Sequence, residues 1–497
     1  MRRISHVITA LAATVTVALA VGGCGKEAEK ATPVAQPDAA QYAQDLAKRV
    51  TADNMMMHLQ KLQDIADANN NTRAVGTPGY EASVDYVVKT LRDKGFEVQT
   101  PQFSLRVFDS EPGTVTLGDA SFAARALQYT IGTPAEGVSA PLVPAPADDS
   151  PGCAAADLDG LPVSGAIVLV DRGTCPFAQK MASALSRGAV GMVIADNVDE
   201  KEMGGTLGEK TDVKIPVVSV TKADGAALRA APGRVTIKLD ARTRDITARN
   251  VIAQTKTGSS DNVVMAGAHL DSVEEGPGIN DNGSGVAAVL ETALQLGSSP
   301  DVRNAVRFGF WGAEELGLVG SEKYVESLNA DQLKDIALYL NFDMLASPNP
   351  GYFTYDGDQS APREQSVPRV PEGSAGIERA LVAYLQGAGK TAQDTSFDGR
   401  SDYDGFTQAG IPSGGLFAGA EDKMSAEQAK LWGGKADQPF DPNYHQATDT
   451  LEHIDRTALG IQGAGVGYIL GLYGQDIGGR NGVPARDDRT RHVVTPS

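Results

Sequence analysis

Cationic character is what this sequence has least of. Its 44 lysines and arginines face 63 aspartates and glutamates, giving a formal charge of −19 and a pI of ≈ 4.8, and the basic residues form no run. A phosphate backbone demands basic patches, so no nucleic-acid partner is expected. Aromatic residues are scarce at 6 %, while 55 glycines are present, a composition that fits a loop-rich α/β protein and neither a coiled coil nor a membrane bundle. No pattern recurs at a fixed period of about 20–50 residues, which excludes solenoids and propellers. Cysteine (3) and histidine (6) are so few that the position of each one is informative. At 497 residues the chain is long for one core and predicts two or three structural units.

The amino terminus stands apart. Arg2 and Arg3 precede an apolar run from Val7 to Val21, followed by Gly22-Gly23-Cys24. This is the pattern of an export signal over residues 1–23, and the run is shorter than the ~20 residues a membrane span needs. A cysteine directly after small residues resembles the lipobox of bacterial lipoproteins. That resemblance implies that Cys24 becomes the lipidated mature terminus and that the protein is exported and held on the cell membrane, facing outside the cytoplasm. Residues 24–45 are expected to be a flexible tether, because Lys26 to about Gln41 is rich in Ala, Pro, Lys and Glu without an apolar period.

Residues 46–110 are expected to begin the main body of the protein. Met55, Leu59, Leu62 and Ala66 share one helical face, and Thr77-Pro78 caps a second helix whose buried stripe runs from Tyr80 through Val84, Val87 and Val88 to Leu91. Over 111–240 the character shifts to short β-like runs between Pro- and Gly-rich turns, the mark of an inserted β-rich domain. With Cys24 lipidated, Cys153 and Cys175 remain, and in an oxidising compartment they most simply pair as a disulfide. The pattern Asp171-Arg172-Gly173-Thr174-Cys175-Pro176-Phe177, with Gly188-Ala189-Val190-Gly191-Met192-Val193-Ile194 beyond it, resembles the protease-associated domain, which implies a role in substrate access and none in catalysis. From 241 to 480 an α/β rhythm resumes, with strands near 263–268, 305–311 and 337–342, predicting a mixed central sheet flanked by helices. The tail, 481–497, is polar and weakly patterned, and it is expected to fray.

Acids and histidines gather where these strands end. The first delivers His269 and Asp271 at its carboxyl end, where open α/β sheets hold their ligands, and Asp281 follows in a Gly-rich loop before a helix that starts near Ser284. The second strand closes in Glu314-Glu315. Neighbouring side chains point in different directions, so one carboxylate can hold a metal while the other carries protons. The third ends in Asp343, a carboxylate that is costly beside a buried strand unless it is bonded or bound to metal. Tyr444-His445 sits in a later loop. Two imidazoles and three carboxylates (His269, His445, Asp281, Glu315 and Asp343) are the donors that suit a pair of zinc ions. Asp271, on the same side of its strand as His269, is placed to accept the other imidazole N–H.

Together these motifs resemble the di-zinc aminopeptidases secreted by bacteria, relatives of glutamate carboxypeptidase II and the transferrin receptor, over roughly residues 50–480. The resemblance implies the zinc-peptidase fold and two Zn²⁺ per chain. Asp281 would bridge them, with His269 and Asp343 on one zinc and Glu315 and His445 on the other. It makes Glu314 the general base acting on a metal-bridged hydroxide, with Tyr444 as a hydrogen-bond donor to the oxyanion. Arg400 and Phe417 would line the substrate cleft. The implied substrates are peptides with free amino termini. A carboxypeptidase of the glutamate carboxypeptidase type is the nearest alternative, and a non-catalytic surface binding protein the next.

Overall fold

A computed structural model describes residues 38–146, 151–199, 203–231, 233–361 and 369–495. The expected signal peptide, Cys24 and most of the expected tether lie outside these residues. Strands at Val251–Gln254, Ser259–His269, Asn304–Trp311, Ile336–Phe342 and Ser413–Phe417 form the body of an eight-stranded mixed sheet. Its centre is parallel: Ser259–His269 lies between Asn304–Trp311 and Ile336–Phe342, with His269 opposite Trp311 and Gly267 opposite Asn341. The antiparallel pairings lie outside that centre, where Val251–Gln254 meets Asn304–Trp311 and Phe353–Tyr355 meets Ser413–Phe417.

Alternation along the central strand explains why it is covered on both faces. Val263 and Met265 pack with Trp311, Tyr339 and Leu333 on one side, whereas Val264, Ala266 and Ala268 join the larger core under helices Gly285–Leu296 and Arg456–Gln475. Because three neighbouring parallel strands run in register, their carboxyl ends open on one edge of the sheet. The residues that follow each strand therefore meet there.

Part of the stretch expected as tether, 24–45, is a helix. Asp38 accepts hydrogen bonds from the N–H groups of Ala40 and Gln41 and caps a helix, Ala39–Arg49, that buries Ala43, Leu46 and Ala47. This helix lies so close to Arg456–Gln475 that a Cβ at Gly471 would stand 2.8 Å from the Cα of Ala43, and one at Gly467 would stand 2.9 Å from Val50. The tail also departs from expectation. Buried Arg489 donates to the carbonyls of Pro484, Asp261 and Lys334, and Arg491 donates to those of Leu333, Gly410 and Ile336, so these arginines fasten a polar segment beside the amino ends of the central strands.

The insertion folds as a closed seven-stranded barrel between Gly113 and Lys238. It is joined to the body by a two-stranded ribbon, Gln102–Ser110 against Ala241–Arg249. Cys153 and Cys175 form the expected disulfide within it. No helix among the described residues is long and apolar enough to cross a membrane.

Candidate metal centre and active site

The five expected ligands converge on the carboxyl edge of the sheet. Asp281 stands at the middle. Its Oδ1 is 3.2 Å from His269 Nε2 and its Oδ2 is 3.2 Å from His445 Nε2, so one carboxylate faces both imidazoles. His269 Nε2 is also 3.3 Å from Asp343 Oδ1, and His445 Nε2 is 3.0 Å from Glu315 Oε2. Glu314 stands back, with its Oε2 4.0 Å from His269 Nε2. Two clusters of potential ligand atoms thus share His269: one with Asp281 and Glu315, the other with Glu314 and Asp343.

Local backbone geometry makes this convergence possible. Gly278, at φ +61°, turns the chain before Asp281, and Asp281 itself has non-helical angles, so it points into the site before the helix Gly285–Leu296 begins. Asn282 then ties this loop to the end of the third strand: its amide donates to Phe342 O, and its Oδ1 accepts from Met344 N. Non-glycine residues adopt left-handed φ at Ala313, Met344 and His445, each at or next to a site residue. Such conformations cost of order 1–3 kcal/mol each and persist where the surroundings enforce them.

The residues fit a pair of metal ions. Glu315 Oε1 and Asp343 Oδ1 are buried and lack any hydrogen-bond partner, although a buried carboxylate oxygen without a partner is costly. The second oxygen of Asp343 accepts from Ser401 Oγ at 2.6 Å, and Ser401 accepts in turn from Asn341 Nδ2. This leaves Oδ1 aimed at His269. The electrostatics agree. Burial by itself would depress His269, yet Asp343, Glu314, Asp271 and Asp281 outweigh it and raise the imidazole well above its ordinary value. His445 is raised to about 10 against the effect of burial by Asp281 and Glu315, and burial helped by Asp281 lifts Glu315 to about 7. The acids outweigh the imidazoles, so the cluster favours positive charge.

A consequence is measurable. A cation that binds His445 and Glu315 must displace the protons they hold below about 10 and about 7. Zinc uptake at neutral pH is therefore expected to release protons, and zinc affinity should rise between about pH 6 and 9. Calorimetry in buffers of different ionisation enthalpy counts the protons released; uptake without release would contradict the assignment of these ligands.

One expected role changes. Asp271 approaches His269 Nδ1 through its main-chain oxygen at 3.2 Å, while its carboxylate Oδ1 is 3.7 Å away. That carboxylate instead accepts from the main-chain N–H groups of Glu314 and Glu315, both at 3.3 Å, and so orients the acid pair. The remaining expected residues line a cleft of about 740 Å³ that opens from the centre. Tyr444 stacks on His445 with ring centroids 3.8 Å apart, and its hydroxyl lies 3.4 Å from Arg400 Nη2. Phe417 packs against Phe353 along the cleft wall. Ser401 and the wholly buried Asp402, which burial raises to about 7, belong to the stretch around Arg400 that was expected to line the cleft, but their own roles were not foreseen, and Asp449 was not singled out.

Comparison with known proteins gives this geometry its family. Residues 250–469 match peptidase family M28, and residues 138–228 match the PA domain. The chain is 71 % identical over 486 residues, covering 97 % of each chain, to a Mycobacterium tuberculosis protein named "Probable lipoprotein aminopeptidase LpqL". The chain belongs to peptidase family M28. An aminopeptidase of Pseudomonas aeruginosa is 41 % identical and aligns with 85 % of this chain and 81 % of its own. Among solved structures, an aminopeptidase from Aneurinibacillus sp. strain AM-1 matches with a TM-score of 0.67 at 28 % identity, over 86 % of this M28 chain and 95 % of its own. A zinc aminopeptidase from Bacillus subtilis matches at 0.59 and 26 %, over 84 % and 94 %.

Proposed function

We propose that the protein is a lipid-anchored, extracytoplasmic zinc aminopeptidase that releases amino-terminal residues from peptides. The observation that carries this reading is Asp281, whose two oxygens each face a different imidazole at 3.2 Å. In this reading His269 and Asp343 would hold one zinc, Glu315 and His445 would hold the other, and Asp281 would serve both. When bound, the pair supplies Lewis acidity at the scissile carbonyl and acidifies the attacking water.

The protein's own residues do the rest. Glu314, oriented through its main-chain N–H by Asp271, takes the water proton on its carboxylate and passes it to the leaving nitrogen. Tyr444 donates its hydroxyl hydrogen to the oxygen of the tetrahedral intermediate. Glu314 and Asp343 attract the free α-ammonium of the substrate, and Phe417 offers an apolar wall to its side chain.

The choice between the two ends of a peptide follows from the cations of the cleft. A carboxypeptidase needs one free for the substrate carboxylate. Arg400 is paired with Glu421 at 2.9 Å and Lys423 with Asp437 at 3.1 Å, whereas acids dominate the lining. Export and anchoring are supported by the name of the mycobacterial relative, and export also by the Cys153–Cys175 disulfide, which suits an oxidising compartment.

The deciding assay compares a leucyl anilide with an N-acylated dipeptide, with and without a chelator. Cleavage of the anilide alone, lost with chelator and regained with zinc, is expected. Cleavage of the acylated dipeptide alone would make the protein a carboxypeptidase. Inertness toward both, with no zinc bound, would make it a binding protein.

A further inference from the structure

We infer that Arg73 is a positioning residue of the metal centre, fixing the loop that carries Asp281 against the strand end that carries His269. The inference rests on the two-metal reading above.

Arg73 lies between helices Ala52–Asp67 and Pro78–Asp93 and is wholly buried. All of its recorded side-chain bonds go to main-chain carbonyls of one short segment. Nε donates to Pro277 O at 2.7 Å, Nη2 donates to Gly278 O at 2.6 Å, and Nη1 donates to Leu270 O. Its main-chain N–H donates to Ser272 Oγ, which donates in turn to Gly276 O. Leu270 directly follows His269, and Gly278 stands three residues before Asp281. A single side chain, 197 to 205 positions away in sequence, therefore spans the loop between two ligands.

The chemistry of the guanidinium suits this task. Its donors form a rigid planar fork, so three carbonyls bound to it are fixed relative to one another. An ammonium on a flexible stem has no such fork. Gly278 is shaped around the contact. A Cβ there would stand 2.4 Å from Asp281 O and 3.1 Å from Arg73 Nη2, and the residue already has φ +61°. Only glycine lets the guanidinium and the Asp281 main chain approach together.

Charge points the same way. Among the described residues Arg73 makes no ion pair within 4 Å, yet its field reaches Asp271, Asp449, Asp281 and Glu315. Burying a cation on carbonyls alone carries a desolvation penalty that ordinary packing does not require. Here the cation stands behind a cluster of acids and offsets part of their repulsion. From the opposite side, Asp449 accepts from the main-chain N–H groups of Asn280 at 2.8 Å and Asp281 at 3.0 Å. The bridging loop is thus held by its carbonyls on one flank and by its amides on the other.

The test uses the full chain as wild type, Arg73→Met and Arg73→Lys, each checked for folding by circular dichroism. Zinc affinity is measured by chelator competition, and ligand geometry by the visible absorption of the cobalt(II)-loaded protein. Both variants are expected to bind zinc about 10–100-fold more weakly, the range for residues that orient metal ligands. Their cobalt spectra should stay altered even at saturating cobalt, a change that lost stability alone would not produce. Arg73→Lys keeps the charge and guards against a variant that does not fold; it is expected not to restore wild-type affinity. Folded Arg73→Lys with wild-type zinc affinity and an unchanged cobalt spectrum would overturn the role of Arg73 alone. Failure of the wild type to take up zinc would overturn both this inference and the aminopeptidase reading.

Discussion

Glu314→Gln is expected to lower kcat on a leucyl anilide by about a thousandfold, within the range assigned to general acid–base groups, with zinc content unchanged. The separation of roles within the Glu314-Glu315 pair underlies this expectation. Glu315 Oε2 lies 3.0 Å from His445 Nε2, among the contacts that define the ligand cluster. Glu314 stands farther out, 4.0 Å from the nearer imidazole, and it lines the cleft. Burial, with Asp343, Asp402 and Glu315 nearby, pushes its carboxyl well above the usual range, which makes it a better proton acceptor when ionised. Glutamine keeps the shape and the main-chain bond to Asp271 but cannot accept a proton. Zinc analysis beside the kinetics separates the two possible roles: lost zinc would make Glu314 a ligand, and undiminished turnover would remove it from the chemistry.

The site was readable in the sequence to the extent that it follows from strand ends. His269, Glu314, Glu315 and Asp343 each come after a run of buried apolar residues, and parallel register brings such ends together without further information. Asp281 was visible through the glycines around it. What the sequence hid depends on partners far along the chain. Nothing near Ser401 announces that its hydroxyl will hold Asp343, and nothing near Asp449 announces that it will accept the amide of Asp281. Arg73 is the extreme case, since its partners are main-chain carbonyls and carry no side-chain signature. The same reason explains the misread tail, which Arg489 and Arg491 hold through carbonyls. The first helix is a different case: Ala43, Leu46, Ala47 and Val50 do form an apolar stripe, but it lies across the boundary drawn between tether and body. Asp271 was placed correctly near His269, but which of its oxygens would face the ring depends on where the next loop presents its amides.

On the proposed two-zinc reading, Asp281→Asn is expected to leave the fold intact, reduce bound zinc from two equivalents to at most one, and cut turnover by about 10²–10³-fold, since forfeiting several kcal/mol of transition-state stabilisation costs that much rate. The backbone around position 281 is held without its side chain: Asp449 takes the amides of residues 280 and 281, Asn282 reaches Phe342 O, and Gly283 N donates to Gly278 O. An asparagine can therefore occupy the same place. It offers one carbonyl oxygen where the carboxylate offered two, and it turns an NH₂ toward one of the two metal positions. It also removes the charge that supports both His269 and His445. The remaining acids, Glu315 and Asp343, lie on opposite sides of the centre, each beside a different imidazole, and neither can replace the shared contact. Excess zinc should not restore the rate, because the missing element is an anion with two faces. Two tightly held equivalents with wild-type turnover in this variant would mean that the two metals do not meet at Asp281, and the geometry on which the peptidase reading rests would have to be assigned to some other purpose.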